Sequence, residues 1–318
     1  MTDLQQYLIE EFVEEYQQGR MTRREALRRI AAVTGSLALS TSILAACGSS
    51  AKPAATTRSG PAPATPDPAA SAQSAATPAA IHVSPDDPAI EAGNLQFPGE
   101  NVTLLGYLSQ PKGDGPSPGV LVCHENRGLT EHIKDVTRRL AKAGYVGLAV
   151  DLLSRQEGTE TIRDPAQVPG ILGNTPPEQF VQDFRSGLRY LQTRPEVRKE
   201  RIGMIGFCFG GGVTWRCATQ LPELRAAVPF YGPNPPLENV PNIQAAVLAI
   251  YGEQDQRIDQ GIPAIEAAMQ QSHKTFEKVI YPNAGHAFFN DTGPNYNPEA
   301  AAAAWSRTLN WFEQYLRT

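Results

Sequence analysis

The chain has 318 residues, 41% of them hydrophobic and 19% charged, with a formal net charge of −5 and four cysteines. This composition supplies a sizeable core. It excludes a disulfide-stapled scaffold, and without an excess of Lys and Arg it excludes a general binder of nucleic-acid phosphates.

The N-terminal part reads as a leader. Met1 to Gly19 is an acidic amphipathic stretch with Leu4, Leu8 and Phe12 on one side, either an extended leader or a segment ahead of a start at Met21. Arg23 and Arg24 then precede an apolar stretch from Ile30 to about Ala46. A positive region followed by a short apolar run is the pattern of an export signal. The arginine pair resembles the twin-arginine type, used for proteins exported already folded. Leu44-Ala45-Ala46-Cys47 resembles a bacterial lipobox, which implies that Cys47 becomes the lipidated first residue of the mature protein. The competing reading is a surface helix with a chance arginine pair. Residues 51–80 contain no Leu, Ile, Val, Met or aromatic, so burial cannot offset their ordering entropy and disorder is expected. The expected organisation is an export signal over 1–46, a tether over 47–84 and one folded domain over 85–318. The first eighty residues are expected to lie outside the core. The product would be an exported, monomeric protein of the cell envelope, touching the membrane through Cys47.

From about residue 85 the pattern is α/β. Val102–Leu108 predicts a strand, then Gly119 to His124 a short buried one. Ile133, Val136 and Leu140 mark a helix over Thr130–Ala143. Val146–Val150 is the next strand, and Phe180, Phe184, Leu188 and Leu191 share a face of a helix over Pro177–Leu191. A strand at Ile202–Ile205 leads into a helix at Val213–Gln220. Strands follow at Ala226–Tyr231, Ala246–Tyr251 and Lys274–Tyr281, with helices at Ile262–Gln271 and Ala300–Leu316. Short continuous apolar strands alternating with helices predict a mostly parallel sheet covered on both faces. The segment between Arg155 and Pro176 carries no readable pattern.

The chemistry sits at strand ends. Gly206-Phe207-Cys208-Phe209-Gly210-Gly211-Gly212 follows a strand and opens a helix. That is the setting of a nucleophile elbow with Cys in place of Ser, and the helix N-terminus is expected to favour the thiolate. A buried structural cysteine beside a glycine turn is the plainer alternative. Asp255 and His286 follow later strands, giving the order nucleophile, acid, histidine of an α/β-hydrolase. His286 would be general base and acid, and Asp255 would hold its tautomer. Asp255 as a helix cap and His286 as a surface residue are the alternatives, with Glu253 a reserve acid.

With these residues in place, the chain resembles the dienelactone hydrolase family from about Asn101 to Leu316. His124-Glu125-Asn126-Arg127-Gly128 and Asp151-Leu152-Leu153-Ser154-Arg155 add to the match. The resemblance implies an α/β-hydrolase fold and a single domain. It implies that Glu125 helps activate Cys208, against a salt bridge with Arg127 as the rival. It further implies an oxyanion hole from the N–H groups of Asn126 and Phe209, and a carboxylate-binding role for Arg155. The family's second substrate arginine after the histidine is missing: Asn290 stands in that region, with Arg127 as a candidate to compensate. A carboxylic ester or lactone hydrolase working through a covalent acyl-enzyme is the implied activity, with no cofactor and no metal. Cys123 and Cys217 read as small buried residues, or as a disulfide pair. A catalytically silent binding lipoprotein and a thiol-redox protein are the other functional classes.

Overall fold

The computed structural model describes residues 1–47, 82–113 and 115–318. The tether expected over 47–84 lies almost wholly outside the described residues.

Eight strands form one sheet in the order β1-β2-β4-β3-β5-β6-β7-β8. They are β1 Ile90–Pro98, β2 Thr103–Pro111, β3 Ser117–Cys123, β4 Val146–Asp151, β5 Val197–Phe207, β6 Ala226–Phe230, β7 Ala246–Gly252 and β8 Phe276–Tyr281. β1 and β2 form an antiparallel hairpin and β2 runs antiparallel to β4; all other pairs are parallel. β4, β6 and β7 are buried along their whole length, as continuous apolar strands covered on both faces must be. The outer strands β1 and β8 mix exposed with buried positions. β1 was not expected: its sequence IEAGNLQFP has neither an apolar run nor strict alternation, and it is held by pairing along β2.

Strand order fixes where a site can form. The chain leaves β3 toward β4 on one side, then crosses to β5 on the other. The carboxyl ends of β3 and β5 therefore flank a topological switch point, where open α/β sheets form their crevice. Glu125 follows β3 and Cys208 follows β5; Asp255 and His286 follow β7 and β8. Parallel pairing of β3, β5, β6, β7 and β8 delivers all four to one edge of the sheet.

Helices cover both faces. They are α4 Glu131–Lys142, α5 Val168–Asn174, α6 Pro177–Thr193, α7 Phe209–Gln220, the short α8 Gln256–Asp259, α9 Ile262–Gln271 and α10 Pro298–Phe312. α7 begins four residues earlier than its apolar pattern indicates, because its first turn is made of the elbow glycines. α5 lies in the segment that was unreadable; it is a seven-residue helix with Pro169 in its first turn.

The N-terminal residues depart from expectation. α1 Asp3–Gln17, α2 Arg23–Thr34 and α3 Leu37–Cys47 precede the domain, and all three contribute buried side chains to its core, α3 through Leu44, rather than lying outside it. Thr2 and Gln5 form a capping box at the start of α1. Gly35, at φ 69°, ends α2 and splits the apolar stretch into two helices. Leu4, Leu8 and Phe12 are buried, each contributing about 1.5–3 kcal/mol relative to exposure. Their helix packs against α2, α5 and α7. A side chain at Gly170 would meet Ala32 at 2.7 Å, and one at Gly173 would meet Leu8 and Val33 near 3.2 Å, so α5 accepts these helices closely. Asp3 is ion-paired with Arg216 of α7. Among the described residues no helix is long and apolar enough to cross a membrane.

The loop carrying His286 is anchored by a buried charged cluster. Asp291 accepts from His132 Nδ1 at 2.9 Å and pairs with Arg139, which also donates from Nε to Asp135 at 2.7 Å. Burial works against the Asp291 carboxylate, but His132 and Arg139 hold it at about 2, below its ordinary 3.8. A lowered carboxyl stabilises the fold above its unfolded value and loses that contribution as pH falls through the folded one. Asp291→Asn is therefore expected to lower Tm at pH 7 by roughly 2–4 °C, the equivalent of about 1 kcal/mol for this partly solvent-screened group. The variant's Tm should also fall less than that of the native chain between about pH 4 and pH 2. Thermal unfolding across that range checks both.

Candidate active site

Cys208 occupies the turn between β5 and α7 with φ 57° and ψ −122°, a conformation that costs a non-glycine residue energy. Its neighbours make the turn possible. A Cβ on Gly206 would sit 2.2 Å from the Gly210 carbonyl oxygen, and one on Gly210 would sit 2.4 Å from the His124 carbonyl oxygen. The Cys208 N–H donates to Phe230 O at 3.0 Å, fixing the turn to β6. Phe209 is the first residue of α7, so its N–H is one of the first-turn donors without a helical acceptor.

His286 and Asp255 meet beside it. His286 Nδ1 lies 2.6 Å from Asp255 Oδ2. Asp255 occupies the N-cap position of α8 but its side chain makes no cap hydrogen bond; the carboxylate is directed to the histidine. Asn295 Nδ2 donates to the His286 carbonyl at 2.8 Å, and Tyr231 packs edge-on against the ring with centroids 5.2 Å apart. Both His286 and Asp255 are buried. The reserve acid Glu253 instead accepts from the Asn283 N–H at 2.9 Å, on the exposed side of the loop.

Glu125 is buried, and its Oε2 accepts from Asn290 Nδ2 at 2.7 Å rather than pairing with Arg127. Its Oε1 is buried without a partner among the described residues. Asn290 Oδ1 is engaged by Thr292, so Asn290 positions Glu125. Arg127 is exposed and lines the cavity at Cys208. Arg155 is elsewhere: it makes a two-pronged ion pair with Asp183 of α6, at 2.7 and 2.9 Å, and does not line that cavity. Cys123, Cys208 and Cys217 are free thiols, all buried.

Sequence reasoning missed two groups of α1. The Tyr7 hydroxyl lies 3.2 Å from Cys208 Sγ and 3.3 Å from His286 Nε2, between nucleophile and base. Glu11 Oε1 accepts from Asn126 Nδ2 at 3.0 Å and lies 3.6 Å from Cys208 Sγ. Arg257 of α8 stacks over the Tyr7 ring at 4.5 Å and donates from Nε to Glu14 at 3.1 Å. The available signal was the i, i+4 spacing of Tyr7 and Glu11, which puts both on one helix face beside the apolar stripe.

These contacts set the protonation states. Burial, then the Glu11 carboxylate, push the Cys208 thiol up, and the attraction of His286 only partly offsets them. A helix N-terminus offers at most about 2 kcal/mol to a nearby anion, whereas burying a charge costs several. The thiol therefore prevails over the expected thiolate in this closed arrangement. Burial disfavours the His286 imidazolium, but the Asp255 carboxylate and the anion that Cys208 becomes on losing its proton raise it well above the ordinary histidine value, so the ring is fitted to take up the thiol proton as sulfur ionises. Burial, Cys208 and Glu11 raise Tyr7 well above its ordinary value and keep its hydroxyl protonated.

Glu11, Cys208 and His286 each bring one donor atom, all within 4.8 Å of one another. Cys208 Sγ and His286 Nε2 are both engaged by the Tyr7 hydroxyl, and the thiol is pushed toward its neutral form, so the cluster is arranged for proton transfer.

The chain is similar to known proteins in sequence and in fold. The sequence profile described as DLH: Dienelactone hydrolase family matches residues 104–316. Carboxymethylenebutenolidase-named proteins from Methylorubrum extorquens and Escherichia coli are 34% and 35% identical over 245 residues. Those alignments cover 73% of this chain and 84% and 90% of theirs. A crystal structure titled as a dienelactone hydrolase from Klebsiella pneumoniae superposes with a TM-score of 0.67 at 33% identity, over 71% of this chain and 100% of that one. A dienelactone hydrolase-like promiscuous phosphotriesterase from metagenomic libraries superposes with a TM-score of 0.62 at 26% identity, covering 71% and 99%.

The elbow's steric demand is directly testable. Gly206→Ala is expected to lower stability by about 1–3 kcal/mol, the usual cost of overpacking, read as a reduced urea midpoint with unchanged m-value. A midpoint equal to that of the native chain would show that the turn can shift to admit the methyl group.

Proposed function

The chain belongs to the dienelactone hydrolase family and is a hydrolase, and from that premise we propose that it cleaves a small carboxylic ester or lactone through Cys208, His286 and Asp255. The observation that carries this reading is the 2.6 Å His286–Asp255 contact beside a cysteine held in a strained strand-to-helix turn.

In the proposed cycle the thiol proton passes to His286 as sulfur attacks the carbonyl carbon. The N–H groups of Asn126 and Phe209 receive the oxyanion, one such donor being worth roughly 3–4 kcal/mol. Collapse breaks the bond to the leaving oxygen, which takes the proton from His286, and an acyl-enzyme remains. Water then gives a proton to His286 and attacks the acyl carbon; the departing sulfur recovers the proton. Asp255 fixes the tautomer and stabilises the imidazolium throughout. Glu125, held by Asn290, places a second carboxylate near the thiol, where its charge opposes premature thiolate formation. A thiolate leaves the intermediate more readily than an alkoxide does, so activated esters and lactones are favoured over amides.

We also propose that residues 1–46 act as a twin-arginine export signal and that Cys47 receives lipid, holding the enzyme at the cell envelope. Two observations support this. Arg23 and Arg24 remain exposed on α2 in the folded chain, and Leu37 and Leu39 of α3 are exposed apolar side chains. Cys47→Ser is expected to move the protein from the membrane to the soluble fraction, read by fractionation; unchanged partition would remove the lipid anchor from this account.

The activity test is a panel of an activated aryl ester, an enol lactone bearing a carboxylate and the same lactone as its neutral ester. Cys208→Ala is expected to abolish turnover, and Asp255→Asn to reduce kcat by roughly 10³- to 10⁴-fold. Full activity in Cys208→Ala would overturn the covalent mechanism, and no turnover by any form of the chain would leave a ligand-binding lipoprotein on the same fold.

A further inference from the structure

We infer that the Cys208 site binds an anionic ligand through Arg257, and that α1 occupies this site in the full chain as a resident surrogate for that ligand. The inference rests on the site assigned above but not on its turnover.

The space at the nucleophile is a cavity of about 200 Å³. One wall, with Glu125, Asn126, Arg127, Cys208, Arg257 and His286, comes from the catalytic domain; Glu11, Glu14 and Glu15 face it from α1. α1 does more than lie near the thiol. The Tyr7 hydroxyl stands within hydrogen-bond distance of both Cys208 and His286, the space a substrate carbonyl must enter. The Glu11 carboxylate takes the Asn126 side chain, beside the expected oxyanion position. These two side chains hold the positions beside sulfur that an approaching ester has to take.

Arg257 identifies what the site is built to receive. Its guanidinium stacks on the Tyr7 ring and donates to Glu14, so it holds an aromatic group and a carboxylate together. Its Nη2 is buried without a partner among the described residues, leaving an unused donor. Removal of α1 takes away both Tyr7 and Glu14 and leaves a cation on the wall of the cavity that holds Cys208, faced within the domain by Asp255. An anionic group on the incoming molecule takes the place of Glu14 at this guanidinium, in a charge-assisted hydrogen bond. Arg155 cannot serve, since Asp183 occupies both of its prongs.

Alkylation of Cys208 tests this without requiring hydrolysis. Two reagents of nearly equal size differ in charge: iodoacetamide is neutral and iodoacetate is an anion. Rates on the full chain are read by mass spectrometry at Cys208. Tyr7→Ala/Glu11→Ala, which keeps the Leu4, Leu8 and Phe12 stripe, is expected to speed both reagents at least tenfold. With Glu14→Gln added to that background, which frees the guanidinium, Arg257→Gln is expected to slow iodoacetate about tenfold, the scale of one lost charge-assisted hydrogen bond, and to change iodoacetamide less than twofold. Arg127→Gln is the comparison for general charge. Native and Tyr7→Ala/Glu11→Ala chains alkylating equally fast would overturn the occupancy of the site by α1. Equal slowing of both reagents by Arg257→Gln, or the same selectivity loss in Arg127→Gln, would overturn the role of Arg257. Unmasked alkylation with no ester turnover would uphold the occupancy and fail the hydrolase mechanism.

Discussion

The structure depends on one strained residue. Cys208 is held at positive φ where a polypeptide of L-residues resists going, and the surrounding packing must impose that conformation. Gly206 and Gly210 remove the side chains that would collide, α7 starts at the next residue, and the Cys208 N–H is tied to β6. Sulfur is thereby raised above the sheet edge at the switch point between β3 and β5. The other functional groups need only be delivered to the same edge, and parallel strands do that for Glu125, Asp255 and His286.

Electrostatics around the thiol are those of a closed site. Two carboxylates, Glu11 and Glu125, both push the thiol toward its neutral form, while one imidazole pulls the other way. The balance is uneven in origin: Glu125 comes from the catalytic domain and is held by Asn290, whereas Glu11 is a visitor from α1. Removing the visitor deletes the larger of the two carboxylate contributions and lets water reach the sulfur, both of which favour the thiolate expected from the helix N-terminus.

Much of the fold was legible because its central strands are continuous apolar runs and its helices carry clear three-and-four spacing. The elbow was legible for a steric reason: few other settings need glycines on both sides of a cysteine between a strand and a helix. Asp255 and His286 were found by position after strands, which a parallel sheet converts into proximity. β1 was not legible, since an edge strand takes its conformation from its neighbour more than from its own composition. Arg155 shows the opposite failure. A charged residue at the right place in a motif gives no sign of its partner, and Asp183 lies 28 residues away on α6. Tyr7 and Glu11 escaped notice because their partners are far along the chain, and a leader-like composition says nothing of where its acidic face docks.

The docking of α1 also carries information about the order of events during synthesis. Its partners are scattered: α5 in the middle of the chain, Asn126 after β3, Cys208 and Arg216 around the elbow, Arg257 on α8 and His286 after the last strand. A segment made before the whole sheet is thus the last to find its full set of contacts, since the final ones exist only when β8 and its loop are complete. A chain stalled or misfolded anywhere along the sheet leaves α1 loose, and a finished one clasps it. The seated helix is therefore a mark of completed folding, and it immediately precedes the helix whose paired arginines face the solvent.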